Sequence, residues 1–144
     1  MNHRYKGKYH YAVPAGWMND PNGCIFYNRE FHIFYQSNPH KPFPEFVGWG
    51  HISTKDFLKF TQHKEALWIE HPYENYGCWS GSAVILNHQL HLLYTGNGDG
   101  IQQQCSASSR DEGETFAKHA DNPVMRSEIL PPHTDVHAWR DPYI

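Results

Sequence analysis

The sequence predicts an all-β fold, and three observations carry that prediction. Aromatic residues make up 15% of the 144 residues, beside ten prolines and eleven glycines, a composition that suits short strands and frequent turns. No segment holds a long helical period that would compete with strands. A strand-turn-strand pattern also appears twice at a fixed offset, which points to a repeated β unit.

The first copy of the pattern has Cys24-Ile25-Phe26-Tyr27 and Phe31-His32-Ile33-Phe34-Tyr35-Gln36 flanking Asn28-Arg29-Glu30, a hairpin with a three-residue connection. The second has Ala83-Val84-Ile85-Leu86 and Leu90-His91-Leu92-Leu93-Tyr94-Thr95 around Asn87-His88-Gln89. Asn28 matches Asn87, His32 matches His91 and Tyr35 matches Tyr94, an offset of 59 residues. Ser53-Thr54-Lys55-Asp56 returns as Ser108-Ser109-Arg110-Asp111, each followed by a phenylalanine, Phe57 and Phe116, at an offset of 55. Several short strands repeating at this period are the signature of propeller blades, small antiparallel sheets that bury their faces on their neighbours. The expected blades cover residues 17–78 and 79–139, with a third beginning near 140.

Ahead of the first hairpin stands Trp17-Met18-Asn19-Asp20-Pro21-Asn22-Gly23. Pro21 fixes its own backbone angle and biases Asp20 away from helix, and Asn22-Gly23 favours a tight turn. The expectation is a turn that delivers the Asp20 carboxylate to the mouth of the following strand. One 59-residue period beyond Asp20 lies Trp79, and Arg140-Asp141-Pro142 opens the next unit. If each entrance feeds an innermost strand, Asn19-Asp20, Trp79-Ser80 and Arg140-Asp141 line one central channel.

Charge and composition exclude several functions. The formal net charge is −3 and the basic residues are scattered, which argues against a nucleic-acid footprint or an anionic membrane partner. Cys24, Cys78 and Cys105 are odd in number, lack CxxC spacing and sit in or beside apolar segments, so buried free thiols are expected. Of the twelve histidines, His133 and His137 come nearest to a zinc spacing, but on a Pro-led stretch without a helical case, and no metal or other cofactor is expected. Gly96-Asn97-Gly98-Asp99-Gly100 lacks the lysine and helix of a phosphate loop and reads as a turn. The opening Met1-Asn2-His3-Arg4-Tyr5-Lys6 is polar, no apolar stretch approaches bilayer length, and a soluble cytoplasmic protein is expected.

Read in order, the Trp17 to Gly23 heptad, Phe34-Tyr35-Gln36, Trp49-Gly50-His51, Trp79-Ser80-Gly81-Ser82-Ala83-Val84 and Arg140-Asp141-Pro142 resemble glycoside hydrolase family 32. The resemblance runs from about Tyr9 to the last residue and implies a five-bladed β-propeller with a funnel-shaped site, of which two blades and the start of a third are present. It further implies hydrolysis of β-fructofuranosidic bonds, as in sucrose, sucrose-6-phosphate or fructans. A small carbohydrate is then the expected partner.

Retaining hydrolysis needs a carboxylate nucleophile and a protonated carboxyl about 5 Å from it. By resemblance, Asp20 is the nucleophile, and Asp141 stabilises the positively charged transition state beside the permanent cation of Arg140. Asn19 orients the sugar, Gln36 hydrogen-bonds to it, and Trp79 and Ser80 supply an aromatic wall and a hydroxyl. Two departures qualify the resemblance. Relatives carry a tryptophan just before the Trp49 segment, where this chain offers Phe43 or Phe46. The family's acid/base is a glutamate in a Glu-Cys pair, which these 144 residues do not contain.

Loss of the acid removes an effect worth roughly a hundred- to ten-thousand-fold, so the chain by itself is expected to be an inactive part of a hydrolase. Its open blade faces are expected to associate. Two alternatives stay open at the level of sequence: a sugar-binding or interaction propeller piece that does not cut, and a fructosyltransferase.

Overall fold

The computed structural model describes Gly7 and residues 9–144. The polar opening from Met1 to Lys6, on which the expectation of a leaderless chain rests, therefore lies outside the described residues. The fold is two four-stranded antiparallel sheets in succession. Sheet one runs β1 (Trp17–Tyr27), β2 (Glu30–Asn38), β3 (Gly48–Thr54) and β4 (Thr61–Gln62). Sheet two runs β5 (Gly77–Leu86), β6 (Gln89–Gly98), β7 (Ile101–Ser108) and β8 (Ala117–Lys118). Each strand pairs with the next in sequence, as short connections require. No helix among the described residues is long and apolar enough to cross a membrane.

The hairpins correct the expected loop length. β1 and β2 are joined by two residues, Asn28 and Arg29, with φ of 48° and 65°; Asn87 and His88 join β5 and β6 with 49° and 63°. Two consecutive left-handed residues make a type I′ turn, whose twist matches that of the strands. Glu30 and Gln89, read as loop, are the first residues of their strands. Asp99 and Gly100 make the same kind of turn between β6 and β7, where a turn was expected.

The expected turn at Asp20 is absent, because Trp17 to Gly23 lies inside β1. Its turn-forming residues act instead as bulges, between Met18 and Pro21 and between Asn22 and Ile25. β5 begins at Gly77, ahead of the entrance expected at Trp79, and carries one bulge, between Trp79 and Gly81. The first strands of the two sheets, β1 and β5, pack on each other. A Cβ on Gly23 would come within 2.9 Å of the Ala83 Cβ, and Gly23 has φ of 49°, so only glycine suits this crossing.

The Trp49-Gly50-His51 motif is explained residue by residue. Trp49 is fully buried and its indole N–H donates across to the Trp79 carbonyl of sheet two at 3.0 Å. Gly50 has no side chain because the Tyr35 ring would lie 2.4 Å from its Cβ. His51 stacks between Phe34, at 4.3 Å, and His63, at 4.2 Å, with its Nε2 bonded to His32 Nδ1 at 2.9 Å. Burial lowers the pKa of His32 and, more strongly, of His51.

The core joins the two sheets through Phe34, Trp49, Leu67, Leu90, Leu92 and Tyr94. Phe116 packs edge-on against Phe34, whereas Phe57 is exposed on the outer face against Phe31, so the two repeat phenylalanines are not equivalent in space. The Ser/Thr-x-Asp echo is equivalent. Thr54 Oγ1 accepts the N–H of Phe57 at 2.9 Å and Ser109 Oγ that of Gly113 at 2.8 Å, so both close the turn after the third strand.

Beneath sheet two lies Glu74, fully buried at the end of the 3₁₀ turn Pro72–Glu74. Its carboxylate accepts the N–H groups of Glu70 and His71 at 3.0 and 3.2 Å and the Tyr94 hydroxyl at 2.8 Å, and is bonded by Lys118 Nζ. Cys78 and Cys105 are buried free thiols, and burial pushes Cys105 up to about 12. Cys24 is exposed, against expectation, because its side chain points to the outer face of β1.

Candidate active site

A cavity of about 700 Å³ opens where the two sheets meet the segment that follows sheet two. Asp20, Gln36, Trp79, Ser80, Arg140 and Asp141 all line it, so residues up to 121 positions apart in the chain share one wall system. Residues 140–144 form no strand, and the third entrance reaches the cavity as irregular chain.

The bulges account for the convergence. An extra residue in a strand re-aims its neighbours off the ladder, and both Asp20 and Ser80 sit at such a point, one period apart to within a residue. Asn19 Nδ2 donates to Asp20 Oδ1 at 2.9 Å. On the other oxygen, the Ser80 hydroxyl donates to Asp20 Oδ2 at 3.4 Å, and Gln36 Nε2 donates to Ser80 Oγ at 3.1 Å. A relay from β2 through β5 to β1 thus orients the carboxylate. Asn19 meets the cavity only through Asp20 and is not part of its lining.

Arg140 Nε lies 3.6 Å from Asp141 Oδ2, with both side chains about half exposed. The Asp141 backbone adopts φ of 62°, which is strained for a residue with a Cβ and commoner for Asp and Asn than for others.

Several lining residues were not read as site residues from sequence: Pro44, Glu45, Val47, Tyr76, Gln102 and His137, the last weighed only as a metal ligand. Phe43 and Phe46, expected to stand in for the missing tryptophan, do not line the cavity; Pro44 and Glu45 between them do, with Glu45 paired to Lys41. The signal for Tyr76 and His137 was proximity, since each lies three residues before a motif residue, Trp79 and Arg140. Gln102 and Val47 gave no comparable signal. No group of three or more metal-ligating side chains occurs among the described residues.

Two successive four-stranded antiparallel sheets packed through their first strands, with Asp20 of β1 and Asp141 of the following segment lining one cavity, have the architecture of β-propeller blades. The comparisons fix the family. Residues 10–144 match the glycosyl hydrolases family 32 N-terminal domain, and the chain belongs to that family. It is 40% identical to the sucrose-6-phosphate hydrolase of Escherichia coli over 94% of this chain and 29% of that protein. The structure of sucrose-6-phosphate hydrolase from Lactobacillus gasseri superposes with a TM-score of 0.86 at 31% identity, covering 99% of this chain and 29% of that one. A Bombyx mori family 32 β-fructofuranosidase variant in complex with sucrose gives 0.84 at 37% identity, over 99% and 30%. The chain thus spans under a third of the length of these relatives, and its two sheets are the N-terminal part of a five-bladed propeller.

Proposed function

We propose that the protein carrying this chain hydrolyses β-fructofuranosidic bonds with retention, and that these residues supply the nucleophile and the wall that holds the fructosyl unit. The observation that carries the reading is the Gln36, Ser80, Asp20, Asn19 relay, whose Asp20 carboxylate shares one cavity with Asp141. Relatives that act on or bind sucrose and its phosphate support the substrate class.

In this reading an oxygen of Asp20 attacks the anomeric carbon as the bond to the departing sugar breaks, giving a fructosyl ester that water later cleaves. Donors from Asn19 and Ser80 hold the carboxylate, one on each oxygen, and leave a lone pair on each for attack. Asp141 lies where positive charge develops on the ring, Arg140 offers donors to sugar hydroxyls, Asn19 acts through the Asp20 carboxylate it holds, and Trp79 gives the ring an apolar face. The proton for the leaving oxygen comes from a carboxyl outside these 144 residues, so the chain alone does not turn over sucrose.

An aryl β-fructofuranoside, whose leaving group needs no proton, separates nucleophile from acid. The expected result is a mass gain of one fructosyl unit on the peptide containing Asp20, absent in Asp20→Asn, with no reducing sugar released from sucrose. The same mass gain in Asp20→Asn would move the nucleophile elsewhere. Sucrose hydrolysis abolished by that substitution would place an acid within the chain or its assemblies.

A further inference from the structure

His137 lines the same cavity as Asp20 and Asp141 without belonging to any motif described above. Its segment is fastened to the start of β7. The Gln102 N–H donates to the Val136 carbonyl at 3.0 Å, and the His137 N–H donates to Asp135 Oδ1 at 2.9 Å. The ring is fastened as well, with Nδ1 2.7 Å from the Gly100 carbonyl oxygen.

A carbonyl oxygen can only accept, so Nδ1 must carry the proton in that contact. In the neutral ring the other nitrogen, Nε2, is then an acceptor with its lone pair free. From these constraints we infer that His137 is a sugar-binding residue: Nε2 accepts a hydrogen bond from a hydroxyl of the bound carbohydrate. This rests on the proposed function and deepens it, because it specifies what the His137 part of the cavity lining recognises. A sugar hydroxyl has the proton this lone pair needs, whereas a phosphate dianion does not and would meet lone pair with lone pair, with Glu45, Asp20 and Asp141 adding like charge around the cavity. The His137 wall therefore takes a neutral, hydroxylated part of the substrate.

The test measures sucrose Kd by titration of the full chain in an Asp20→Asn background, where turnover does not interfere, with His137→Asn and His137→Gln added separately. Asparagine places its N–H near Nδ1 and keeps the Gly100 bond while losing the acceptor; glutamine places an oxygen near Nε2. Loss of one hydrogen bond is worth roughly a two- to tenfold weakening. The expected result is a Kd raised by about fivefold in His137→Asn and restored to within about twofold of the parent in His137→Gln. Equal Kd in parent and His137→Asn would overturn the inference, as would equal weakening in both variants or no sucrose binding by the parent. Persisting hydrolysis in the Asp20→Asn parent would instead sink the nucleophile assignment, and the Kd comparison would then be made with a non-hydrolysable thio-linked sucrose.

Discussion

Asp141 is tied to Thr95 by a backbone hydrogen bond: its N–H donates to the Thr95 hydroxyl at 2.9 Å, and that hydroxyl donates in turn to the Ser80 carbonyl at 3.1 Å. One fully buried side chain on β6 therefore sets the positions of both cavity walls, the bulge of β5 and the strained Asp141. Thr95→Val keeps the shape and removes both bonds, leaving the Asp141 N–H without that acceptor. The expected cost is about 1–3 kcal/mol in unfolding free energy, with weakened sucrose binding, both largely recovered in Thr95→Ser. Denaturant titration alongside sugar titration reads both effects; a Thr95→Val chain that binds sucrose like its parent would show that Asp141 does not depend on Thr95.

Glu74 sets a second test, on stability alone. Its two oxygens accept from the Glu70 and His71 N–H groups, the Tyr94 hydroxyl and Lys118, whose side chain is only 6% exposed. Glu74→Gln leaves Lys118 without its buried counter-ion and turns one acceptor into a donor facing donors. Breaking one member of a buried pair costs about 3–5 kcal/mol, so Glu74→Gln is expected to unfold at far lower denaturant. Replacing Lys118 by methionine as well, which removes the stranded charge, is expected to recover part of the loss. A single variant within about 0.5 kcal/mol of the parent contradicts the network.

The stacked histidines set a pH dependence. His32 and His51 have pKa values below the ordinary 6.5, owing first to burial and then to the neighbouring imidazoles. Above pH 6.5 both are neutral in the folded and unfolded chains and contribute no slope. As pH falls below 6.5 the unfolded chain takes up protons that the stack refuses, and stability declines by up to about 1.4 kcal/mol per pH unit for each histidine.

The other groups around the stack are His63, Glu30, Lys55 and Glu114, of which Glu30 is held below its ordinary 4.5 by the Ser53 hydroxyl and enters only at more acid pH. Unfolding measured from pH 7.5 to 5 should therefore steepen below 6.5, and His51→Gln should flatten the slope by about one proton. Parallel slopes in parent and variant would mean that the stack accepts protons when folded.

Fold class and repeat were legible because they rest on period and composition. The 59-residue offset held at Asn28 and Asn87 since a type I′ turn makes the same demand in each sheet, although Arg29 and His88 carry no signal for a left-handed backbone. The bulges were not legible. Asp-Pro and Asn-Gly favour a turn locally, but pairing of β1 with β2 and packing on β5 supply a ladder that absorbs them as irregularities. Glu74 gave no sign of being the most buried carboxylate, because burial of a charge depends on Lys118 and Tyr94, 44 and 20 residues away. The cavity was reached from the motif residues, while Gln102 and Val47 join it only through sheet geometry that no local pattern encodes.

The indole bond from Trp49 to the Trp79 carbonyl has a mechanical meaning. That carbonyl sits at the bulge of β5 and accepts from the neighbouring sheet, one residue away from the hydroxyl that steadies Asp20. The packing of the sheets and the aim of the carboxylate are thus connected through Trp79 and Ser80. A substitution far out in the interface that tilts one sheet by a few degrees acts as a lever on the reacting atoms. Selection for a different sugar could work through that lever without touching a cavity residue.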